Sequence, residues 1–452
     1  MANVIKLRKG LDINMKGRAL LQSLSKNIDE ACEYALSPDD FVGVTPKVVV
    51  KEGDHVLAGE FLFVEKKYPE IGFASPVSGV ITSIVRGKRR KVLLVKVKPD
   101  KDQQYIDFGK KDISSLASED IIKSIVDAGL FGYIQQLPYD ISVENMEVPK
   151  SIFISALRDK PLQGDFEFEL KGQEKEFQTG LSALAKISKV YLGLGAKQTS
   201  SALISAKDVD INIFDGPCPA GNVGVQVNHI DPVNKGEKVW TIDPTVVLFI
   251  GRLFNMGRVD LTRKIAIAGS MMKQTGYIDA LVGTPIKALI DKNIETNRKA
   301  RLLKGNPLTG VIANSESFVG AHTSEITAIP EGDDINEFAG WIKPRLNMFS
   351  ISRSYFSWLF GKKKEYDIDA RIKGSKRHII MSGEYDKVLP MNIYSEFLIK
   401  AIIVGNIDKQ EQLGIYEISP EDFALAEFVD SSKLELQKIV RTGLDILRKE
   451  NA

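Results

Sequence analysis

The sequence predicts an α/β chain of several domains: a β-rich N-terminal unit, a strand–helix alternating unit, a second small β-rich unit and a helical end. Three observations predict it. Residues 42–97 alternate between apolar and polar positions and break at Gly-Asp and Ser-Pro turns, the mark of short strands in a small sheet. Residues 151–214 alternate apolar strand runs with amphipathic helical runs, which argues for a parallel sheet wound on both faces. Residues 391–449 repeat apolar positions at helical spacing.

Composition sets the bounds. A chain of 452 residues has room for roughly three or four domains. Its 43% hydrophobic content supplies ample core, and its net charge of +2 gives no electrostatic footprint for nucleic acid. The two cysteines, Cys32 and Cys218, supply neither a disulfide framework nor the thiolates of an iron–sulfur or zinc site, and the four histidines have no ligand spacing. No metal site is expected. The first residues lack the apolar core of a signal peptide, and runs such as VVLFI (246–250) are too short to span a bilayer. A cytoplasmic location is the expectation, with any membrane attachment made through partners.

In order along the chain, residues 1–40 are an N-terminal segment with a short strand at its start and a turn at Ser37-Pro38-Asp39-Asp40. In 41–99, PKVVVKEGDHVLAGE (46–60) reads as strand, turn, strand, turn, and ASPVSGVI (74–81) enters another strand. These turns resemble those of the lipoyl/biotinyl hammerhead. The lysines at its expected tip, Lys66 and Lys67 in EKKYPEIG, lack that family's compact turn, so an unmodified structural domain is expected. Residues 100–260 read as a Rossmann-like α/β domain. A helix is expected at 118–127 with Ser118 as N-cap, and 241–252 reads as a buried strand or helix. In 261–330, KIAIAG (264–269) and a second strand after Gly276 precede a helix with Thr284 as N-cap and Pro285 at its first position. This layout resembles a β-grasp domain of the soluble-ligand-binding type. Residues 331–365 form a connector. Its aromatic, basic stretch KPRLNMFSISRSYFSWLFGKKK (343–364) is expected to be buried; the alternative is docking onto a membrane or a membrane-embedded partner. Residues 366–452 are the C-terminal helical domain, with Ser419 expected to cap a helix.

The stretch most suggestive of chemistry is INIFDGPCPAGNVGVQVNH (211–229), a strand that breaks into Gly216, Gly221 and Gly224. Such a side-chain-poor loop can bring backbone N–H groups to a phosphate. His229, after an apolar stretch, is expected to be an interior histidine. No nucleophile–base pair is readable from spacing, so catalytic residues are not assigned.

The domain order and the stretches IKLRKGLD (5–12), VVVKEG (48–53), SPVSG (75–79), GPCPAG with His229, IAIAG (265–269) and LGIYE (413–417) resemble one family nearly end to end. It is the A subunit of bacterial sodium-translocating NADH:quinone reductases, related to the flavin subunit of respiratory complex I and the C subunit of the Rnf complex. Cofactor-using members carry a glycine-rich flavin loop, an acidic strand-end motif and iron–sulfur cysteines. The flavin loop corresponds to AGLFGYIQQLP (128–138), where Gly129 and Gly132 remain among bulky residues. The acidic motif corresponds to SALRDKP (155–161), where Asp159 remains between Arg158 and Lys160. The cysteines that the family tends to show near its final helices are replaced by LAEFVD (425–430).

The resemblance implies a peripheral subunit on the cytoplasmic face of the bacterial inner membrane. FMN, FAD, riboflavin, iron–sulfur and NADH would sit on partner subunits, one of them integral to the membrane, and no cofactor on this chain. Quinone contact is the candidate role here, with Phe131, Tyr133, Tyr139, Phe214 and His229 as its candidate lining. The competing readings are a free-standing flavin- or NADH-dependent oxidoreductase and a ligand-free structural adaptor.

Overall fold

The computed structural model describes residues 3–25, 32–335, 342–361 and 363–451. The first strand, β1 (Asn3–Lys6), stands apart from the β-rich unit that follows. That unit is built from β2 (Tyr34–Leu36), β3 (Pro46–Val48), β4 (His55–Val56), β5 (Phe61–Glu65), β6 (Gly72–Ala74), β7 (Gly79–Arg86) and β8 (Val92–Pro99). They form two small sheets, β2-β8-β7-β4 and β3-β5-β6. The first sheet therefore begins upstream of residue 41. Gly79 is required at the β7–β8 contact, since a Cβ there would lie 2.0 Å from the Lys98 carbonyl oxygen.

Helix α1 (Ser118–Asp127) leads into the hairpin β9 (Gln135–Leu137) and β10 (Ile141–Ser142). Its N-cap is Ala117 rather than Ser118, because the Asp120 carboxylate reaches back to the Ala117 N–H and fixes the boundary one residue earlier. The wound sheet follows with β11 (Ser151–Ser155), α2 (Phe166–Leu170), α3 (Glu174–Ala185), β12 (Val190–Gly195), α4 (Ser201–Ile204), β13 (Asp210–Asp215), α5 (Val223–Ile230), β14 (Val239–Ile242) and α6 (Pro244–Met256). Strand order is β1-β13-β12-β11-β14-β9-β10. The five strands from β1 to β14 run parallel, and β9 and β10 add antiparallel pairings at the far edge. The N-terminal strand thus closes one edge of this sheet. Both sheet faces are covered: Ile152 and Ile154 join the core with Leu181 and Phe249 of α3 and α6, while Phe153 faces Val227 of α5. The 241–252 run divides between β14 and α6 at Asp243, whose carboxylate accepts the Thr245 N–H ahead of Pro244 in the first turn.

A five-stranded sheet comes next: β15 (Thr262–Ala268), β16 (Gly276–Leu281), the short helix α7 (Ile286–Ile290), β17 (Ala300–Lys304), β18 (Val311–Ala313) and β19 (Glu325–Pro330), in the order β16-β15-β19-β17-β18. Pro285, not Thr284, is the N-cap of α7; the Thr284 hydroxyl turns back to donate to the Leu281 carbonyl. The end is helical, with α8 (Tyr385–Val388), α9 (Ser395–Ile403), α10 (Ile407–Gln412), α11 (Ala424–Val429) and α12 (Leu436–Glu450). Ser419 caps the single 3₁₀ turn ahead of α11 through a reciprocal capping box with Asp422. These helices share a core with Leu7, Phe214 and Val225, so they pack against the loop end of the wound sheet.

The connector overturns the expectation of burial. Ile342, Leu346, Ile351, Phe356, Trp358, Leu359 and Phe360 are all exposed, while Phe349 reaches inward, against Tyr366 and Phe428. Residues 336–341 and 362 of this stretch lie outside the described residues.

Candidate functional site

The loop between β13 and α5 has the backbone of a phosphate cradle, but the protein's own carboxylates hold its N–H groups. The Gly221 N–H donates to Asp159 Oδ2 at 2.8 Å, and the Cys218 N–H donates to Asp12 Oδ1 at 3.0 Å. Asn222, the N-cap of α5, turns its amide toward Asp422 Oδ1 at 3.4 Å. Each glycine admits protein atoms. A Cβ at Gly216 would lie 2.7 Å from Leu7, at Gly221 2.5 Å from the Leu157 carbonyl oxygen, and at Gly224 2.3 Å from Asp422 Oδ2. A bound phosphate would have to displace Asp159 from the Gly221 N–H and would face Asp12, Glu421 and Asp422 as well. Lys160, buried, is committed to Glu421. The electrostatics therefore disfavour an anion here.

Burial, foremost, raises the Asp159 carboxyl above its usual range, against Lys160 and the Gly221 N–H. Burial also pushes the Cys218 thiol up, which leaves it neutral and unreactive. Asp422, only 2% exposed, is pushed up to about 6 by burial, against the hydrogen bonds from Ser419. A carboxyl whose folded pKa is raised stabilises the fold fully below its unfolded pKa and loses that contribution as pH rises through the folded value. Asp422→Asn, neutral throughout, should therefore gain stability relative to the unsubstituted chain between pH 4 and pH 7, by about 2 kcal/mol. Parallel denaturant titrations across that window measure the difference; a flat one refutes the assignment.

The second device, the loop at 128–138, is filled by the β-rich unit. A Cβ at Gly132 would meet the Phe73 ring at 2.2 Å, and one at Gly129 would meet Ala74 at 2.9 Å. Phe131 lies edge-on to Trp240 at 5.5 Å, and Tyr133 edge-on to Phe41 at 5.1 Å. Behind them Phe73 packs on Phe41 and stacks on Phe63, with centroids 4.3 and 4.7 Å away. Both glycines make room for side chains of the β-rich unit. The residues present do not fit a flavin, because Phe73, Phe61 and Ala74 take the space at both glycines.

The third device lies where the sheet reverses its winding, between β11 and β14, the place where wound sheets bind ligands. Arg158, just past β11, lies 2.5 Å from Glu169, 3.2 Å from the Thr245 hydroxyl and 3.5 Å from Asp243. Its side chain is 4% exposed and that of Glu169 is 1% exposed. Burial alone would lower the Arg158 pKa, but Glu169, Asp243 and Glu325 outweigh it and hold it up as a cation. Burial raises Glu169 to about 7, against Arg158 and Arg263. The crevice is thus closed by a buried ion network. The sequence showed that Arg158 alters the charge at this motif. It did not show Glu169, Asp243, Arg263 or Glu325, which arrive from other elements without a shared local pattern.

Four of the five candidate quinone residues are divided between two cores. Phe131 and Tyr133 belong to the core under the β-rich unit. Phe214 belongs to the core of the C-terminal helices, and Tyr139 packs against it. His229 is exposed rather than interior, because it falls on the outer side of the last turn of α5; its Nδ1 lies 2.9 Å from the Val225 carbonyl oxygen. It is edge-on to Phe214 at 6.5 Å. The Tyr139 carbonyl accepts from Arg441, and its hydroxyl accepts from Asn451 at 3.2 Å. Among the described residues, no three His, Cys, Asp or Glu side chains are grouped so as to hold a metal ion.

Known proteins resemble the chain along its whole length. The family model described as the NqrA N-terminal barrel-sandwich hybrid domain matches residues 5–100. The NqrA second alpha/beta domain matches 116–259, and the NQRA C-terminal domain matches 264–315. The A subunit of the Na(+)-translocating NADH-quinone reductase of Rhodopirellula baltica is 33% identical over 99% of both chains. Its counterparts in Haemophilus influenzae (strain PittGG) and Hahella chejuensis are each 30% identical over 99% of this chain and 100% of theirs. Similarity of this extent, carried by three domains in the order the fold displays, places the chain in the family of A subunits of the Na(+)-translocating NADH-quinone reductase, an oxidoreductase complex.

Proposed function

We propose that this chain is a peripheral subunit on the cytoplasmic side of the reductase that holds no flavin, nicotinamide or iron–sulfur centre of its own. FMN, FAD, riboflavin, iron–sulfur and NADH then belong to the partner subunits, and this chain supplies a docking body beside them. Among its described residues no helix is long and apolar enough to cross a membrane, which supports attachment through other subunits. One observation carries the reading: the Gly221 N–H, which a nucleotide phosphate would need, is held by Asp159. The filled loop at Gly132 and the ion network at Arg158 support it independently.

The test is cofactor content. The chain purified alone should be colourless, release no flavin on acid treatment and show no saturable NADH binding, while the intact complex carries its flavins. Stoichiometric flavin on the isolated chain would revive the free-standing oxidoreductase. A quinone contact is retained at one place, where exposed His229 stands edge-on to buried Phe214. A photoreactive quinone should label α5 in the assembled complex; labelling confined to other subunits favours the ligand-free adaptor.

A further inference from the structure

The connector is a large apolar surface that neither the fold nor the candidate site uses. Ile342 is 65% exposed, Leu359 63%, Phe356 and Phe360 55% each, and Trp358 47%. Hydrophobic residues scattered singly over a surface need no explanation, but a run of them within one segment does. Phe356–Phe360 forms a single 3₁₀ turn, entered from Tyr355 and closed by Gly361. Ser357 alone in that turn is buried, and its carbonyl accepts from the Tyr366 hydroxyl at 3.3 Å. Phe349 anchors the segment at its other side, against Tyr366 and Phe428. The turn is thus held on the body while its aromatic side chains face outward.

Charge identifies what those side chains fit. Residues 343–364 contain six basic and no acidic residues, in a chain whose net charge is +2. The rest of the molecule is therefore net negative, and the basic charge is concentrated where the aromatic rings are exposed. The two interleave: Arg345 lies over Tyr355 at 5.5 Å, Arg353 over Trp358 at 5.6 Å and Lys364 over Phe360 at 4.0 Å. Amphipathic aromatic rings with cations beside them match the interfacial layer of a bilayer: rings enter the headgroup–acyl boundary and cations stay among the anionic headgroups. An apolar protein groove would be served by the rings but would make no use of the clustered cations.

We propose that residues 342–361, with Lys363 and Lys364, are a membrane-interface anchor that inserts Phe356, Trp358, Leu359 and Phe360 into an anionic lipid surface. The inference rests on the reading of this chain as a peripheral subunit of a membrane complex, but its test requires neither the complex nor its activity. The full chain is sedimented with vesicles of phosphatidylcholine alone and of phosphatidylcholine with phosphatidylglycerol. Binding is expected to the anionic vesicles and to weaken with salt. Phe356→Ser/Leu359→Ser/Phe360→Ser and, separately, Arg353→Gln/Lys363→Gln should each weaken it by roughly tenfold or more. These side chains are exposed, so an unchanged circular dichroism spectrum shows that the fold persists. Equal binding to both vesicle types, or binding unaffected by either variant, overturns the proposal. So does a chain that ignores vesicles but whose triple variant fails to rejoin the complex, because that makes the surface a protein dock.

Discussion

Arg158→Met should destabilise the fold by about 3–5 kcal/mol, because it leaves buried carboxylates without their cation. Glu169 and Asp243 both face Arg158, and Glu169 is almost wholly enclosed. With Arg158 present, burial already raises Glu169 to about 7. Without it, one of the two opposing cations is gone and the pKa rises further. A carboxyl raised in the folded state contributes its stability at low pH and loses it as pH rises through the folded value. The deficit of Arg158→Met should therefore be larger at pH 8 than at pH 5. Adding Glu169→Gln should restore much of the loss at pH 8, since the uncompensated charge is then gone. Chemical denaturation of the single and double variants at both pH values decides the matter. A deficit that ignores pH, or a double variant no better than the single, would show that packing rather than charge closes the crevice.

The second large effect is expected where the flavin loop is filled. Phe73→Ala removes a fully buried ring that touches Phe41 and Phe63, and should cost about 3–5 kcal/mol as a cavity opens. Gly132→Ala acts from the other side: its new methyl collides with the Phe73 ring edge, for about 1–3 kcal/mol. The two are coupled. In a Phe73→Leu background the far ring atoms are absent, so Gly132→Ala should cost much less than it does alone. Additive losses in thermal or denaturant unfolding would mean that Gly132 is needed for something other than room for Phe73. The cycle thus separates a glycine kept for a ring of the protein from one kept for a ligand.

Much of the fold was legible in the sequence because it is written over short distances. The run at 74–81 marked the entry into β7, the alternation that ends at residue 97 marked β8, and Ser419 marked a helix start. Errors fell where a neighbour's side chain moves a boundary. Asp120 shifts the cap of α1 to Ala117, and Pro285 becomes the cap of α7. The aromatic connector misled for a different reason. Apolar composition sets a preference for burial but does not guarantee a covering surface; here the fold gives one to Phe349 and leaves Phe356, Trp358, Leu359 and Phe360 exposed. His229 failed as an interior residue because helical phase, not the apolar residues before it, decides which side chain faces out.

By itself the sequence determined the α/β organisation and the shortage of thiolates. It also marked Gly216, Gly221, Gly224, Gly129 and Gly132 as places where something approaches the backbone closely. Only the tertiary structure decided what approaches. Asp159 reaches the Gly221 N–H from 62 residues away, and Asp422 reaches Asn222 from 200. Phe73 reaches Gly132 from a different sheet. The physical reason is the same in each case. A glycine records in the chain that space is needed, whereas the atom that takes the space is chosen by packing between distant segments, and no local period encodes that choice.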